Sequence, residues 1–261
     1  MMALQKQRIV YTNHTGKVSG AEKVLLNMLR GLDRRRYEPL VICPSEGNLQ
    51  QMAEAEGVTC ATVPALQARF TWRVGELFRY IASFLHVIRA TRREITLADP
   101  YFVHANTVRA GIVATLATIG TGREVIWHVH DSLPKHPLSA VIRLLAFAFA
   151  STRTRIVAVS NATAAAFSGS LSFKERVRVI YNGVDLSCFP DKSRGESPLK
   201  RELGISQQSF LVCAVGQICA RKGLRELLEA FSKLMTMHHR YTWQSSENRF
   251  FLTRNNIAQS W

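Results

Sequence analysis

Short apolar runs rich in β-branched residues alternate with amphipathic stretches along most of the chain. The first such pair is a run over residues 8–12 followed by residues 21–32, where apolar residues recur at helical spacing. This alternation predicts an α/β fold with a parallel sheet. The predicted strands cover residues 8–12, 39–43, 58–63, 101–104, 124–129, 155–159 and 176–181, and the predicted helices cover 21–32, 48–56, 70–93, 108–119, 138–150 and 162–167.

The pattern changes after the turn pair Asn182-Gly183. A loop-like stretch follows, and then a further strand and an amphipathic helix predict the start of a second α/β unit, after which no period remains. We therefore predict an N-terminal Rossmann-like domain over 1–184, an interdomain linker over 185–208, an incomplete second domain over 209–235 and an aberrant or disordered tail over 236–261.

Composition narrows the class of protein. Hydrophobic residues make up 47% of the chain and charged residues 20%, which suits a folded protein with a buried core. The formal net charge of +15 favours polyanionic partners, namely nucleic acid, an anionic membrane or phosphorylated small molecules. Basic and aromatic residues are not interleaved as on a base-stacking surface, so we predict no nucleic-acid partner.

Three absences in the sequence bear on the compartment. The 5 cysteines include no C-x-x-C pair, which favours a reducing environment and argues against a structural zinc. The first residues hold no apolar signal core, and no run reaches the roughly 18–20 apolar residues of a membrane span. We expect a cytoplasmic protein, with contact at the inner membrane face as an open alternative.

A loop with two glycines follows the first strand and runs from Asn13 to Glu22. Gly16 and Gly20 allow a ligand to approach the backbone, and Ser19 can cap a helix whose free N–H groups suit a phosphate. The spacing matches neither G-x-G-x-x-G nor a P-loop, so nicotinamide and P-loop sites lose their main support. An ordinary glycine turn is an equal alternative.

Two histidines alternate at the end of the strand over residues 124–129, where open α/β sheets bind ligands. Alternation points His128 and His130 in the same direction, which is compatible with a metal pair. The H-x-H-x-D-H spacing of metallohydrolases is absent. The simpler alternative is a strand-end histidine that is hydrogen-bonded to the backbone.

A third segment repeats the order of strand, glycine turn, basic residues and helix start. It holds Gly216, Gln217, Arg221 and Lys222 before a helix that begins near Gly223. The N-terminus of a helix attracts anions, so two cations placed there fit a diphosphate. The alternative is that both cations face water and bind no ligand. This placement costs a small amount of free energy, because cations prefer the C-terminal end of a helix.

The predicted helix over residues 70–93 combines an apolar stripe with many arginines. Such a helix can lie on anionic lipid or contact a phospholipid-type acceptor, or it can pack on the sheet with its charges in water. The stripe consists of Val74, Leu77, Phe78, Ile81, Phe84, Leu85 and Ile88.

In their order and spacing, six segments resemble the retaining glycosyltransferases of family four. The resemblance covers roughly residues 8–234. The segments are SGAE at 19–22, HANT at 104–107, HVHD at 128–131, VSNAT at 159–163, VIYNGVD at 179–185 and VGQICARKG at 215–223.

This resemblance implies a GT-B architecture, in which two Rossmann-like domains face each other across a cleft. On this resemblance, we expect a complete N-terminal domain and only the first β-α unit of the C-terminal domain. The implied activity is retaining transfer of a sugar from a nucleotide-sugar to a sugar or lipid-linked acceptor, for cell-surface polysaccharide or glycolipid synthesis, without a metal or other cofactor. The resemblance also implies roles for individual residues. His130 is a catalytic positioning group beside the donor sugar, and the diphosphate is bound by Gly216, Gln217, Arg221 and Lys222. The acceptor-side loop contains Gly16, Ser19, Gly20 and Glu22, and the interdomain turn contains Asn182 and Gly183.

The sequence departs from the family pattern at two places. Gln217 stands where family members commonly have arginine, and we expect Arg221 to compensate. The paired-glutamate segment of the family has no counterpart in residues 236–261, where Glu247 is alone. We therefore expect a chain truncated or frame-shifted near Met235 that transfers little or no sugar. A non-catalytic module that binds acceptor or nucleotide is the alternative function.

Overall fold

The computed structural model describes residues 6–66, 74–131, 153–167, 175–188, 197–208, 211–215, 222–237, 241–246 and 249–254. Within them, seven parallel strands form one sheet. The strands are β1 Gln7–Thr12, β2 Tyr37–Cys43, β3 Thr59–Thr62, β4 Phe102–Ala105, β5 Glu124–Val129, β6 Thr154–Ala158 and β7 Val177–Val179. Their spatial order is β3-β2-β1-β4-β5-β6-β7, so the predicted α/β fold with a parallel sheet is confirmed.

Helices cover both faces of this sheet. They are α1 Gly20–Arg30, α2 Leu49–Ala55, α3 Val74–Ala98, α4 Val108–Ala117 and α5 Asn161–Ala165. Leu25 and Leu29 of α1 pack on one face of the sheet, and Ile95 of α3 packs with Trp127 on the other. The helix predicted over 138–150 lies outside the described residues.

The long helix α3 differs from its prediction at its end and on its buried face. It continues to Ala98 instead of residue 93, because Ile95 and Ala98 extend its buried face. That face also holds Val87 and Thr91, whereas Phe78, Ile81 and Leu85 of the predicted stripe are exposed.

The strand order reverses between β1 and β4. The chain runs outward from β1 to β3, and α3 then returns it to β4, on the other side of β1. In open α/β sheets, ligands bind at the carboxyl ends of strands at such a reversal. The fold therefore places a candidate site beyond Thr12 and Ala105.

Contacts divide the chain into a unit over Met1–Asp185 and a second unit over Leu186–Trp261. The second unit contains a 3₁₀ turn Leu186–Cys188, α6 Pro198–Glu202, β8 Leu211–Val215, α7 Leu224–Met237, β9 Tyr241–Ser246 and β10 Arg249–Arg254. β10 pairs antiparallel with both β8 and β9.

The secondary structure of the second unit differs from the sequence pattern at two places. The loop-like stretch over 185–208 contains α6, where Pro198 starts the helix without loss because the first N–H needs no intrahelical partner. The Ser197 hydroxyl accepts the Lys200 N–H at 3.4 Å. The residues after 235, where we expected no regular structure, complete α7 and form β9 and β10, whose backbones pair with each other.

Among the helices of the described residues, none is long and apolar enough to cross a membrane.

Candidate active site

Three neighbouring strands, β1, β4 and β5, are each followed by one polar residue of a shared cluster. These residues are Asn13, Asn106 and His130. Asn106 is fully buried, and its side chain joins the other two. Its Nδ2 lies 3.3 Å from Oδ1 of Asn13, and its Oδ1 lies 3.1 Å from Nε2 of His130. With Glu22, which bonds Asn13, these residues form what we call the strand-end cluster.

Glu22 ties the cluster to the start of α1. Its carboxylate accepts hydrogen bonds from Asn13 Nδ2 at 3.0 Å, the Ser19 N–H at 3.0 Å and the Ser19 hydroxyl at 2.5 Å. Burial would raise the pKa of Glu22, but the hydrogen bonds from Ser19 and Asn13 outweigh it and lower the pKa. The side chain is therefore charged at neutral pH although it is only 1% exposed.

This carboxylate changes the interpretation of the loop over residues 13–22. We predicted free N–H groups at the N-terminus of α1 that would suit a phosphate. The structure instead places the negative charge of Glu22 there, and the Ser19 N–H is already bonded. A second anion at this position would be repelled, so the geometry argues against phosphate binding by this loop.

The two glycines of the loop have different environments. A Cβ on Gly16 would overlap the carbonyl oxygens of Pro44 and Glu46, and the Gly16 carbonyl accepts the Leu49 N–H at 2.9 Å. Close packing of two loops is therefore sufficient to require glycine at position 16. A Cβ on Gly20 would meet nothing within 4 Å, so open space adjoins the start of α1.

His130 lies at the end of a row of three histidines. Its ring centroid is 4.2 Å from that of His128, and His128 Nδ1 lies 3.3 Å from His104 Nε2. Burial lowers the pKa of His104 to about 3 and that of His128 to about 4, and neighbouring histidines act in the same direction. Burial also lowers the pKa of His130, against the opposing charges of Asp131 and Glu22. All three rings are neutral at pH 7.

Neither alternative considered for His128 and His130 matches this geometry. His128 Nδ1 is engaged with His104, and His130 bonds the Asn106 side chain instead of the backbone. In the part of the chain that the structure describes, no group of three or more His, Cys, Asp or Glu side chains is arranged to hold a metal ion.

The two ring nitrogens of His130 differ in their hydrogen bonding. Its Nδ1 is buried and has no hydrogen-bond partner among the described residues. A buried polar atom without a partner costs free energy, commonly about 1–3 kcal/mol, unless a ligand satisfies it. The atom therefore points to a ligand that can form a hydrogen bond with it.

The remaining predicted site residues are distributed over both units. Asn182 and Gly183 are exposed and line, with His104 and His128, a cavity of about 520 Å³ on the sheet face that carries α1. Lys222 belongs to the second unit, where it is exposed just before α7. Gly216, Gln217 and Arg221 lie outside the described residues.

Sequence reasoning did not identify Asn13 and Asn106 as site residues. In the sequence, Asn13 is the first residue of the glycine loop and Asn106 is one residue of the HANT segment. The available signal was a single polar residue directly after each buried strand, which becomes informative once the strands are known to be neighbours.

A sheet that reverses its strand order beside a buried polar cluster defines an α/β protein with a Rossmann-like ligand-binding domain. The family model named Glycosyltransferase Family 4 matches residues 18–187, which is most of the chain. This chain belongs to that family, and the resemblance seen in its motifs is confirmed.

Individual relatives agree with this assignment. The UDP-Gal:alpha-D-GlcNAc-diphosphoundecaprenol alpha-1,3-galactosyltransferase of Escherichia coli is 24% identical over 238 residues, which are 86% of this chain and 57% of that protein. A glycosyltransferase of Rickettsia africae ESF-5 matches with a TM-score of 0.60 and 16% identity, covering 89% of this chain and 59% of its own. Anabaena HepE, in complex with UDP and glucose, matches with a TM-score of 0.56 and 24% identity, covering 76% and 50%.

The two solved structures show the fold, and they confirm the expected GT-B type. This chain spans between 50% and 59% of the length of these three relatives.

Proposed function

We propose that this chain carries part of the site that transfers a sugar from a nucleoside diphosphate sugar to an acceptor hydroxyl, with retention at the anomeric carbon, and that the chain by itself transfers little or no sugar. Membership of Glycosyltransferase Family 4 supports the class of reaction. The observation that carries the proposal is the strand-end cluster, which holds His130 at the reversal of the strand order, with Nδ1 buried and without a hydrogen-bond partner in the part of the chain that the structure describes. A sugar hydroxyl is a ligand that such a nitrogen can bind.

The proposed reaction exchanges one bond at the anomeric carbon. The bond to the diphosphate oxygen breaks, and the diphosphate leaves with the electron pair. The acceptor oxygen bonds to the same face of the sugar, and its proton passes to the departing phosphate. His130 contacts the sugar and holds it in place during this exchange.

The other predicted residues receive roles within this reaction. Lys222, at the start of α7, is proposed to neutralise the diphosphate together with Gly216, Gln217 and Arg221, because cations and helix N–H groups stabilise such a leaving group without a metal. Ser19, Gly20 and Glu22 are assigned to the acceptor side, where Gly20 leaves open space. Asn182 and Gly183 are assigned to the turn between the two units.

The relatives suggest which substrates to test first. The name of the E. coli relative specifies UDP-galactose and a GlcNAc-diphosphoundecaprenol acceptor, and HepE is bound to UDP and glucose. We propose a UDP-sugar as donor and a lipid-linked sugar as acceptor, in the synthesis of a cell-surface polysaccharide or glycolipid at the cytoplasmic side of the membrane.

Helix α3 supports contact with such a membrane. Phe78, Ile81 and Leu85 are 69%, 45% and 44% exposed and are spaced along one face of the helix. Arg89 and Arg93 are exposed on the following turns. An exposed apolar face next to cations is typical of helices that lie at the surface of anionic membranes.

Calorimetric titration of the chain with UDP, UDP-galactose, UDP-glucose and GDP-mannose tests the function. We expect saturable heat with at least one UDP compound. We also expect Lys222→Ala to bind that compound about tenfold more weakly or weaker still, since a hydrogen bond to a charged group contributes roughly 1.5–3 kcal/mol. Arg225→Ala, which removes an exposed cation paired with Glu229 one turn further along α7, is the matched control. Absence of heat with every compound, or equal affinity in Lys222→Ala and the wild type, would contradict the proposal.

A further inference from the structure

The hydrogen bonds of the strand-end cluster have a fixed direction that starts at Glu22. The ionised carboxylate can only accept hydrogen bonds. Asn13 must therefore turn its Nδ2 towards Glu22 Oε1, 3.0 Å away, and the same nitrogen lies 2.6 Å from the carbonyl oxygen of Thr15. Both partners of this nitrogen are acceptors, so the Oδ1 of Asn13 is left to accept from Asn106.

The amide of Asn106 is oriented a second time by the backbone. Its Nδ2 lies 3.1 Å from the carbonyl oxygen of Ala21, which cannot donate. If the amide were rotated by half a turn, its oxygen would face both this carbonyl and Oδ1 of Asn13. Its Oδ1 is thus directed at His130, where it accepts from Nε2 at 3.1 Å.

We propose that Asn106 is a positioning residue that holds the neutral imidazole of His130 in the tautomer protonated at Nε2, so that the lone pair of the buried Nδ1 is left to accept a substrate hydroxyl. In the opposite tautomer, the Nε2 lone pair would face the Asn106 oxygen, and Nδ1 would be a donor. The negative charge of Glu22 orients Asn13, and Asn13 in turn orients Asn106. Through these two side chains, Glu22 determines whether the His130 Nδ1 accepts or donates a hydrogen bond to the substrate. The part concerning the substrate rests on the proposed function, whereas the tautomer is a property of this chain alone.

His130 lies between the Asn106 side chain and a second histidine ring. The ring of His128 packs against it with an interplanar angle of 41°, and His104 is hydrogen-bonded to His128. Asn106 is 0% exposed, so water does not compete for its oxygen. A single tautomer is therefore expected, whereas free histidine in water is a mixture.

Two-bond ¹H–¹⁵N correlation spectra of the ¹⁵N-histidine-labelled chain report the tautomer directly. The signals of His130 are assigned by their loss in His130→Gln. We expect the pattern of an Nε2-protonated ring in the wild type and in Asn27→Ala, which removes an exposed asparagine of α1 outside the cluster. Asn106→Ala should convert the pattern to a mixture of tautomers, and thermal unfolding checks that this variant is folded.

Asn106→Asp provides the conservative comparison. One carboxyl oxygen can still accept from Nε2, and the other, which replaces the nitrogen facing Asn13 Oδ1 and the Ala21 carbonyl, should carry a proton for these acceptors. The Nε2-protonated pattern of His130 should therefore persist in this variant. The proposal is overturned if the wild-type ring is protonated at Nδ1, or if folded Asn106→Ala keeps the wild-type tautomer. The wild-type spectrum alone shows which ring nitrogen of His130 is protonated, even if neither variant folds. Because this spectrum needs no nucleotide, the test remains valid if the proposed function fails.

Ligand titrations then distinguish the two sources of the hydroxyl. A shift of the His130 Nδ1 signal with UDP-glucose or UDP-galactose but not with UDP assigns it to the donor sugar. A shift with octyl N-acetylglucosaminide assigns it to the acceptor. A signal that moves with none of these sugars overturns the assignment of Nδ1 to a substrate hydroxyl.

Discussion

The side-chain amides of Asn13 and Asn106 are 3.3 Å apart, although 93 residues separate them in the sequence. Their contact joins the loop after β1 to the end of β4, and through Asn106 to His130 after β5. The glycine loop and the strand-end histidine, which the sequence presents as two separate candidates, therefore belong to one hydrogen-bonded cluster.

The different environments of the two loop glycines predict opposite responses to alanine. Gly16→Ala should destabilise the chain by about 1–3 kcal/mol, because its Cβ would force apart the loops that carry Gly16 and Glu46. Gly20→Ala should change the free energy of unfolding by less than about 0.5 kcal/mol, because its Cβ meets nothing and alanine suits a helix start. Urea unfolding of both variants measures the difference. Equal destabilisation would show that the loop packing described for Gly16 is wrong.

The buried histidines predict a loss of stability in mild acid. In the folded state the pKa of His104 is about 3 and that of His128 about 4, against an ordinary value of 6.5. Between pH 6.5 and about pH 4, the unfolded chain therefore binds protons that the folded chain does not. Stability should fall as pH is lowered through this range, by up to about 1.4 kcal/mol per pH unit for each histidine.

Urea unfolding at pH 7.5, 6 and 5 checks this dependence. In His104→Gln, the free energy of unfolding should depend less steeply on pH, whatever the effect of the substitution on stability at pH 7.5. His86→Gln, which changes an exposed histidine of α3, is the control and should keep the wild-type slope. Constant stability between pH 7.5 and 5, or an unchanged slope in His104→Gln, would contradict the burial of these neutral rings.

The exposed face of α3 predicts binding to anionic vesicles. Replacing Phe78, Ile81 and Leu85 together by serine should weaken binding to phosphatidylglycerol vesicles at least tenfold, because burial of one such side chain contributes roughly 1.5–3 kcal/mol. Co-sedimentation measures the bound fraction, and binding should decrease with added salt. Leu97→Ser, at a 67% exposed leucine near the end of the same helix, is the control. Undiminished binding of the triple variant would exclude this face as the contact.

Hydrophobic periodicity was sufficient to predict the seven strands of the main sheet, because each is a short apolar run between turns. It did not predict β9 and β10, since YTWQSS and RFFLTR have no clean alternation and their pairing partners are supplied by tertiary contacts. It left open whether the apolar stripe of α3 packs on the sheet or faces outward, and the structure shows Phe78 and Leu85 exposed. Periodicity gives the faces of a helix, and only packing shows which face the sheet covers.

The candidate site was predicted only in part for a similar reason. His130 was identifiable because two histidines alternate at a strand end. Asn13 and Asn106 carry no periodic signal, and their importance depends on β1 and β4 being neighbours, which requires knowledge of the strand order. The burial of Glu22 was likewise invisible, because a glutamate near a helix start is ordinarily a solvated residue.

The central claim is that His130 contacts the sugar of a nucleotide-sugar. Calorimetry of His130→Ala with UDP and with the UDP-sugar that the wild type binds best tests it most directly, with His86→Ala as the control. We predict that the variant binds UDP with wild-type affinity and binds the UDP-sugar about 2- to 10-fold more weakly. This decrease corresponds to the loss of one hydrogen bond, which contributes roughly 0.5–1.5 kcal/mol. Unchanged affinity for the UDP-sugar, or an equal loss for UDP and the UDP-sugar, would contradict the claim.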